Sequence, residues 1–108
     1  MKPQPNIHVG GYRQVVPQQI IRLEAYRNYT FFHSIQGSRF IVSTTLKLNE
    51  ARLSPFGFIR VSRQDVINLR HIKKVWKDGT IELVDGTLTS PSRRRRQRVM
   101  NILKLCEN

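Results

Sequence analysis

Two segments of the chain carry side chains whose type and spacing suit the binding of a charged partner. In the first, residues 58–63 alternate as a β-strand does and end at the polar corner Ser62-Arg63-Gln64-Asp65. In the second, the four arginines Arg93 to Arg96 follow Ser90-Pro91-Ser92. Serine is a favoured N-cap and proline a favoured first helical residue, so this order predicts a helix start with Ser90 or Ser92 as the N-cap.

The arginine run occupies the predicted N-terminus of a helix, where acidic residues would stabilise the helix and arginines do not. The aligned peptide dipoles already leave partial positive charge at a helix N-terminus, and each added cation there costs about 0.3–1 kcal/mol. Free backbone N–H groups and guanidinium groups together make a binding site for phosphate. We therefore predict that the run binds a phosphate-bearing partner; the alternative is a solvated run of charge with no partner.

The overall charge narrows the class of partner. The 108 residues include 19 Lys and Arg against 7 Asp and Glu, a formal net charge of +12. Thirteen of the basic residues are arginines, whose planar fork matches phosphates and guanine edges. A small domain this basic most often binds nucleic acid. Double-stranded DNA is the predicted partner, and no membrane partner is expected.

Two alternatives remain open at this point. One is RNA, although the aromatic pattern of the common RNA-binding modules is not evident in the sequence. The other is an acidic protein that docks on the arginine run. Both would use the same excess of positive charge.

Catalysis and cofactor binding are not expected. His8, His33 and His71 are too scattered for a metal site, and the seven carboxylates form no acid–base constellation. Cys106 is the single cysteine, which excludes an intramolecular disulfide and a cysteine-based metal site. The chain has no apolar run long enough to span a bilayer and no recognisable signal peptide. The sequence therefore predicts a cytoplasmic protein that is not an enzyme and uses no cofactor or metal.

Hydrophobic periodicity predicts a mainly β (α+β) fold of compact small antiparallel sheets. The predicted strands are Ile7–Val9, Tyr12–Val16, Ile20–Tyr26, Phe31–Gln36, Phe40–Ser43, 58–63, Ile72–Trp76, Thr80–Val84 and Thr87–Thr89, with hairpin signals at Asp78-Gly79 and Asp85-Gly86. One short central helix is predicted at Leu46–Leu53 behind an N-cap at Thr44 or Thr45, and a C-terminal helix from Ser92 to about Leu105. Residues 1–6 are expected to be a disordered start and residues 7–108 a single domain.

A series of short motifs resembles the LytTR family, the DNA-binding output domain found on many bacterial response regulators. The resemblance covers the chain from about Ile20 onward, and its motifs come in the family's order and spacing. They are Ile21-Arg22-Leu23-Glu24-Ala25, Asn28-Tyr29-Thr30, Thr45-Leu46-Lys47, Leu53, Phe58-Ile59-Arg60-Val61-Ser62-Arg63, Asn68-Leu69, Ile72, Asp85-Gly86 and Ser92-Arg93-Arg94.

The resemblance implies a bacterial transcriptional regulator that binds DNA with loops and not with a recognition helix. Members place three loops in successive major grooves on one side of the duplex. Carried over to this chain, the loops are residues 27–30, 62–64 and 92–95. The second and third of them are also the two polar segments that charge and position indicate.

Individual roles follow from side-chain chemistry. Arginine pairs bidentately with guanine, and glutamine or asparagine with adenine. The predicted base contacts are Asn28, Thr30, Arg63, Gln64 and Arg94. The predicted contacts to the DNA backbone are Arg27, Lys47, Ser62, Lys73, Ser92, Arg93, Arg95 and Arg96. Arg60 is expected to support the second loop without touching DNA, and Asn68 to bond backbone groups of the protein.

Two departures from the family pattern bear on function. Many members carry His where this chain has Ser62, and often Ser where it has Gln64, so we expect a different preferred DNA sequence. A length of 108 residues leaves no room for the receiver domain that usually precedes this domain, so we do not expect control by phosphorylation. We expect a monomer in solution, and two copies on tandem half-sites would be the natural geometry on DNA.

Overall fold

The computed structural model describes residues 6–10 and 13–105. The strands in this part of the chain are β1 (Ile7–Gly10), β2 (Arg13–Val15), β3 (Ile20–Tyr26), β4 (Tyr29–Ser34), β5 (Arg39–Val42), β6 (Phe58–Arg60), β7 (Asp65–Asn68), β8 (Ile72–Val75), β9 (Ile81–Leu83) and β10 (Leu88–Thr89). The helices are α1 (Leu46–Leu53) and α2 (Arg96–Leu105). Residues 1–5 of the predicted disordered start lie outside the described residues, as does Cys106.

The strands form three antiparallel sheets. The largest has five strands in the order β5-β4-β3-β7-β6, β8 to β10 form a three-stranded sheet, and β1 pairs with β2. In the large sheet β3 pairs with β4 on one side and with β7 on the other, so that Tyr26 lies opposite Tyr29 and Glu24 opposite Asp65. This arrangement confirms the predicted mainly β class with small antiparallel sheets.

Two hydrophobic cores lie on opposite faces of the five-stranded sheet. Adjacent strand residues point to opposite faces, and Val66 belongs to one core while Ile67 belongs to the other. The first core packs the sheet against α1 and the paired strands β1 and β2, and its members include Leu23, Phe32, Leu46, Leu53, Phe58 and Val66. The second core packs the sheet against β9 and α2, and its members include Ile21, Val61, Ile67, Ile81, Leu83, Val99 and Leu103.

The predicted central helix is confirmed, including its N-cap. The Thr45 hydroxyl oxygen accepts a hydrogen bond from the Leu48 N–H at 3.3 Å, as a helix N-cap does. Asn49 occupies a position of α1 where an apolar residue would be expected, and it is fully buried. Its amide donates to the carbonyl of Thr45 at 2.9 Å and to the Thr44 hydroxyl at 3.0 Å. The amide nitrogen is therefore satisfied by local hydrogen bonds, whereas the amide oxygen is buried without a hydrogen-bond partner among the described residues.

One sequence prediction about the elements is wrong, and one strand was not predicted. The helix α2 begins at Arg96, so neither Ser90 nor Ser92 caps it, and residues 93–95 form a turn in front of it. The strand β7 was not predicted, because its apolar part, Val66-Ile67, is too short to produce a recognisable alternation. It lies between β3 and β6, where both of its faces are buried.

Asn68, at the end of β7, ties the large sheet to the segment that leads into β3. Its amide nitrogen donates to the carbonyls of Pro17 at 3.2 Å and Ile20 at 2.9 Å, and its amide oxygen accepts from the Arg70 N–H at 3.0 Å. The side chain is almost fully buried. These bonds confirm the structural role predicted for Asn68.

Replacing Asn68 by alanine is expected to lower the free energy of unfolding by about 2–3 kcal/mol, because buried carbonyls would lose their donors. Denaturant unfolding followed by circular dichroism measures the change. Asn101→Ala is the matched control: Asn101 is exposed on α2, and its replacement should change stability by less than about 0.5 kcal/mol. Equal effects of the two substitutions would contradict the assigned role.

Candidate nucleic-acid interface

The second loop, residues 62–64, is a tight polar corner between β6 and β7. The Ser62 hydroxyl oxygen accepts hydrogen bonds from the N–H groups of Gln64 and Asp65, both at 3.1 Å. The Asp65 carbonyl accepts from the N–H of Val61 at 3.0 Å. The backbone of the corner is therefore held by its own hydrogen bonds, while the side chains of Arg63 and Gln64 are exposed. Ser62 itself shapes the loop, and its hydroxyl proton is left to donate.

Arg60 holds this corner from inside the protein. Its Nε donates to the Ser62 carbonyl and its Nη2 to the Arg63 carbonyl, each at 3.0 Å. Its Nη1 lies 3.3 Å from the Glu50 carboxylate of α1. The Arg60 guanidinium thus donates to two loop carbonyls and also forms one ion pair, as its planar set of N–H donors allows. This confirms the prediction that Arg60 supports the loop.

Backbone hydrogen bonds join the second loop to the other two loops. The Ala25 N–H donates to the Gln64 carbonyl at 2.8 Å, two residues before the first loop begins. The Ser92 N–H donates to the Val61 carbonyl at 2.7 Å, at the start of the third loop. Three chain segments that are far apart in sequence are therefore held around one corner.

The first loop is shorter than predicted. It is the two-residue turn Arg27-Asn28 between β3 and β4, and both side chains are exposed. Arg27 has φ of 56°, in the left-handed region that non-glycine residues seldom adopt. Thr30 lies within β4 and is fully buried, and its hydroxyl donates to the Thr44 carbonyl at 2.8 Å. The prediction that Thr30 contacts a base is therefore wrong, since its polar group points into the protein.

A shallow hollow lies between the first loop, the second loop and the start of α1. We call it the loop hollow; the residues that line it are Ala25, Arg27, Thr45, Leu46, Lys47, Arg60, Arg63 and Gln64. The first turn of α1 contains no acidic residue, so the partial positive charge of the helix N-terminus is not offset there. The hollow thus combines three exposed cations with a helix N-terminus, a combination that suits phosphate.

The third loop presents only part of the arginine run. Arg93 and Arg94 are exposed in the turn before α2, and Arg95 is half-buried. Arg96 instead donates from Nη1 to the Asp78 carbonyl at 2.9 Å. It packs on Gly79, where a Cβ atom would lie only 2.6 Å from this nitrogen. Arg96 therefore anchors α2 to the β8–β9 turn, although its side chain stays exposed, and its predicted contact with phosphate remains a prediction.

Two further residues that were predicted to contact the DNA backbone, Ser92 and Lys73, do not point into the loop hollow with a free polar side chain. The Ser92 hydroxyl is buried and has no hydrogen-bond partner among the described residues, so only the backbone of Ser92 takes part in the loop arrangement. Lys73 lies on β8, in a different sheet, with its ammonium 3.7 Å from the Glu82 carboxylate. It does not line the loop hollow.

A charged network that was not predicted fastens the end of the second loop to the sheet. The Asp65 carboxylate lies 3.4 Å from Arg22 and accepts from the Thr89 hydroxyl at 3.4 Å. Burial raises the pKa of Asp65, and the Arg22 charge opposes that shift. The sequence carries no signal for this network, because the pairing of β3 with β7 depends on a strand that was not predicted.

His33 extends the network on the same face of the sheet. Its Nε2 lies 3.0 Å from the Glu24 carboxylate. Burial lowers the pKa of His33, and the nearby Arg22 charge lowers it further, although Glu24 acts in the opposite direction. The imidazole is therefore harder to protonate in the folded chain than in the unfolded chain.

Comparison with known proteins gives a family and a fold. The family model described as LytTr DNA-binding domain matches residues 10–104. A solved structure from Bacillus cereus, the LytTr DNA-binding domain of a protein described as a methyl-accepting/DNA response regulator, is similar with a TM-score of 0.74. It is 20% identical in sequence, and the match covers 95% of this chain and 98% of that one. No curated protein sequence matches the chain.

Neither α1 nor α2, the helices found within residues 6–10 and 13–105, has the length and apolar character that crossing a membrane requires. Within the same part of the chain, no group of three or more His, Cys, Asp or Glu side chains is placed to hold a metal ion.

Replacing Arg60 by methionine is expected to speed hydrogen exchange at the amides of residues 61–65 and to weaken duplex binding about tenfold, on the order of 1.4 kcal/mol. Hydrogen-exchange mass spectrometry and fluorescence anisotropy measure the two effects. Arg70→Met is the matched control, because it removes the same charge from the exposed Arg70 at the far end of β7. A control that weakens binding equally would mean that Arg60 acts through its charge and not through the loop.

The lowered pKa of His33 predicts a pH dependence of stability. Below about pH 6.5, the ordinary value, the unfolded chain binds more protons at this position than the folded chain does, so stability falls on acidification. In His33→Gln, which keeps an N–H donor for Glu24, the melting temperature should fall less between about pH 7 and pH 5. An unchanged pH profile would show that His33 is not the responsible group.

Proposed function

The chain belongs to the LytTr DNA-binding domain family, and we propose that it is a bacterial transcriptional regulator that binds double-stranded DNA sequence-specifically. In this proposal its three loops enter the major groove on one side of the duplex. The family is one of DNA-binding and not catalytic domains. Sequence specificity, the choice of groove and the individual contacts are inferred from the geometry of the loops.

The observation that carries the proposal is the joining of the three loops. Hydrogen bonds from Ala25 to Gln64 and from Ser92 to Val61 hold the loops around one corner, and Arg60 clamps that corner. Groups that are already held in place lose less conformational entropy when they bind. Exposed arginines on a held backbone are therefore better suited to reading base edges than the same residues on a free loop.

Arg63 and Gln64 are the proposed base contacts of the second loop. Both are exposed while their backbone carbonyls are occupied, by Arg60 and Ala25 respectively. Arginine can pair with O6 and N7 of guanine, and glutamine with N6 and N7 of adenine. The loop is thus proposed to read neighbouring purines.

The other two loops contribute one proposed base contact each. Asn28 is exposed at the tip of the first loop and could pair with adenine, and Arg94 in the third loop could pair with guanine. The proposed contacts to the DNA backbone are Arg27, Lys47, Ser62, Arg93 and Arg95. The proposal leaves out Thr30 and the Ser92 hydroxyl because both are buried. It also leaves out Lys73, which lies beside Glu82 in another sheet, and Arg96, which bonds the Asp78 carbonyl.

The loop hollow is the proposed seat of one phosphate group. Arg27, Lys47 and Arg63 surround it, and the N-terminus of α1 adds its backbone N–H groups. With a net charge of +12, we expect about 6–10 phosphate contacts per bound unit and a correspondingly steep salt dependence of affinity. In solution we propose a cytoplasmic monomer; two copies would occupy tandem half-sites spaced by whole helical turns.

In vitro selection of random duplexes on the purified chain, at near-physiological salt, tests the proposal. Enrichment of a short motif, above all a direct repeat on one face of the helix, would establish sequence-specific binding. Structured RNA added as competitor should leave the selected duplex bound. Recovery of duplexes without a motif would reduce the function to charge-driven binding and would favour RNA or an acidic protein as the partner.

Arg63→Ala is expected to weaken binding to the selected duplex by about 1–3 kcal/mol and to relax the preference at one base pair. Binding titrations against single-base variants of the selected site measure both effects. Arg70→Ala removes the same charge away from the loops and should weaken all duplexes slightly and alike. If Arg63→Ala did the same, Arg63 would be a phosphate contact.

A further inference from the structure

The outer side of the strands β3, β4 and β5 carries a set of rings that the duplex-binding loops do not use. Thr30 and Phe32 of β4 point toward α1, so the alternate residues of β4 point to the opposite side. Tyr26 lies across from Tyr29, Ile41 across from Phe31, and Arg39 across from His33. We call this set the ring face: Tyr26, Tyr29, Phe31, His33, Arg39 and Ile41.

The ring face is the uncovered half of a sheet surface. The second core covers the same side of the sheet at Ile21, Ile59 and Ile67, near β6 and β7. The second core does not extend over the strands toward β5. Of the side chains there, Tyr26 is 52% exposed, Tyr29 45% and Ile41 46%. Neighbouring exposed apolar and aromatic groups on a small domain commonly mark a binding surface.

The rings form a continuous series with cations over their faces. The ring centroids of Tyr26 and Phe31 are 5.8 Å apart, and those of Phe31 and His33 are 6.4 Å apart. The guanidinium carbon of Arg39 lies 4.6 Å from the Phe31 centroid, and that of Arg27 lies 5.8 Å from the Tyr26 centroid. Aromatic rings interleaved with arginines are the usual platform for unpaired bases on a phosphate backbone.

The charges on and beside this face also favour a polyanion. The nearby carboxylates already have partners, since Glu24 bonds His33 and Asp65 lies beside Arg22. Arg27 and Arg39 stand at opposite ends of the series and are exposed. A second copy of a chain with a net charge of +12 would be repelled. The carboxylates of an acidic protein would pair with the arginines, but they would not stack on the series of rings.

We propose that the ring face binds single-stranded nucleic acid, with bases stacked on Tyr26, Tyr29 and Phe31 and phosphates on Arg27 and Arg39. This activity is separate from duplex recognition, because it uses strand side chains and not the second and third loops. Arg27, in the first loop, borders both surfaces. Stacking does not distinguish DNA from RNA, so the ligand class is an unpaired strand of either kind.

The test uses the double variant Tyr26→Leu/Tyr29→Leu, which removes two rings and changes no charge. Fluorescence anisotropy would measure the affinity of the full chain for labelled oligothymidine, for oligouridine of equal length and for the duplex obtained by selection. The affinity for unpaired strands should fall roughly tenfold or more, while that for the duplex should change by less than about twofold. A tighter complex with one of the two oligonucleotides shows which of them the ring face prefers.

Arg63→Ala is the matched control for the duplex surface. It should weaken duplex binding and leave the affinity for unpaired strands within about twofold. The two variants therefore separate a failure of the ring face from a failure of the duplex proposal. Thermal unfolding of both variants checks the fold, and the single variant Tyr29→Leu replaces the double variant if the latter is unfolded.

Crosslinking provides a second measurement on the unmodified chain. Strands that contain bromouracil should crosslink under ultraviolet light to Tyr26, Tyr29 or Phe31. Crosslinks confined to other residues would overturn the proposal, as would an unchanged strand affinity in the leucine variant. Equal losses on strand and duplex would assign the rings to the duplex surface. A change in the sedimentation of the free chain on substitution would make the ring face a contact between copies.

Discussion

The hydrogen-bonded corner at the end of β6 is the constraint on which the rest of the candidate interface depends. Loops that connect strands are usually the most mobile parts of a domain. Here the Ser62 hydroxyl, the Arg60 guanidinium and backbone bonds from Ala25 and Ser92 occupy the polar groups of the corner. Because those bonds also reach the segments beside the first and third loops, the geometry of all three loops follows from one site. The five-stranded sheet then serves as the rigid base of that site.

The basic residues of the chain divide into those whose side chains bond other parts of the protein and those that lie on the loops without such a bond. Arg22 and Arg60 are largely buried and paired with carboxylates, and Arg96 bonds a turn carbonyl. Arg63 and the start of the arginine run are exposed on the loops. A net charge of +12 destabilises a compact chain by self-repulsion, so the unpaired cations are best explained by a polyanionic partner. Sequence alone does not separate the two groups, since both consist of arginines.

Local rules predicted the parts of the site that depend on neighbours in sequence. The alternation of residues 58–63 predicted a strand that ends in a polar corner, and the same alternation suggested that Arg60 lies behind the loop. The prediction of Thr30 as a base contact came instead from the first loop implied by the family resemblance; it is wrong because the turn after β3 has only two residues and places Thr30 inside a strand. The start of α2 was misplaced because Ser-Pro-Ser fits a helix start as well as the turn that is found there.

The sequence by itself determined the class of partner, the mainly β composition of the fold and the family, because charge, alternation and ordered motifs are properties of the chain. The tertiary structure decided which arginines are available and which residues from distant segments meet. Asp65 reaches Arg22 and Thr89 only because β7 inserts between β3 and β6. Tyr26 and Phe31 share a face with Arg39 only because β4 pairs with both β3 and β5. Strand order depends on packing between segments that are far apart in the sequence, which no local pattern of residues encodes.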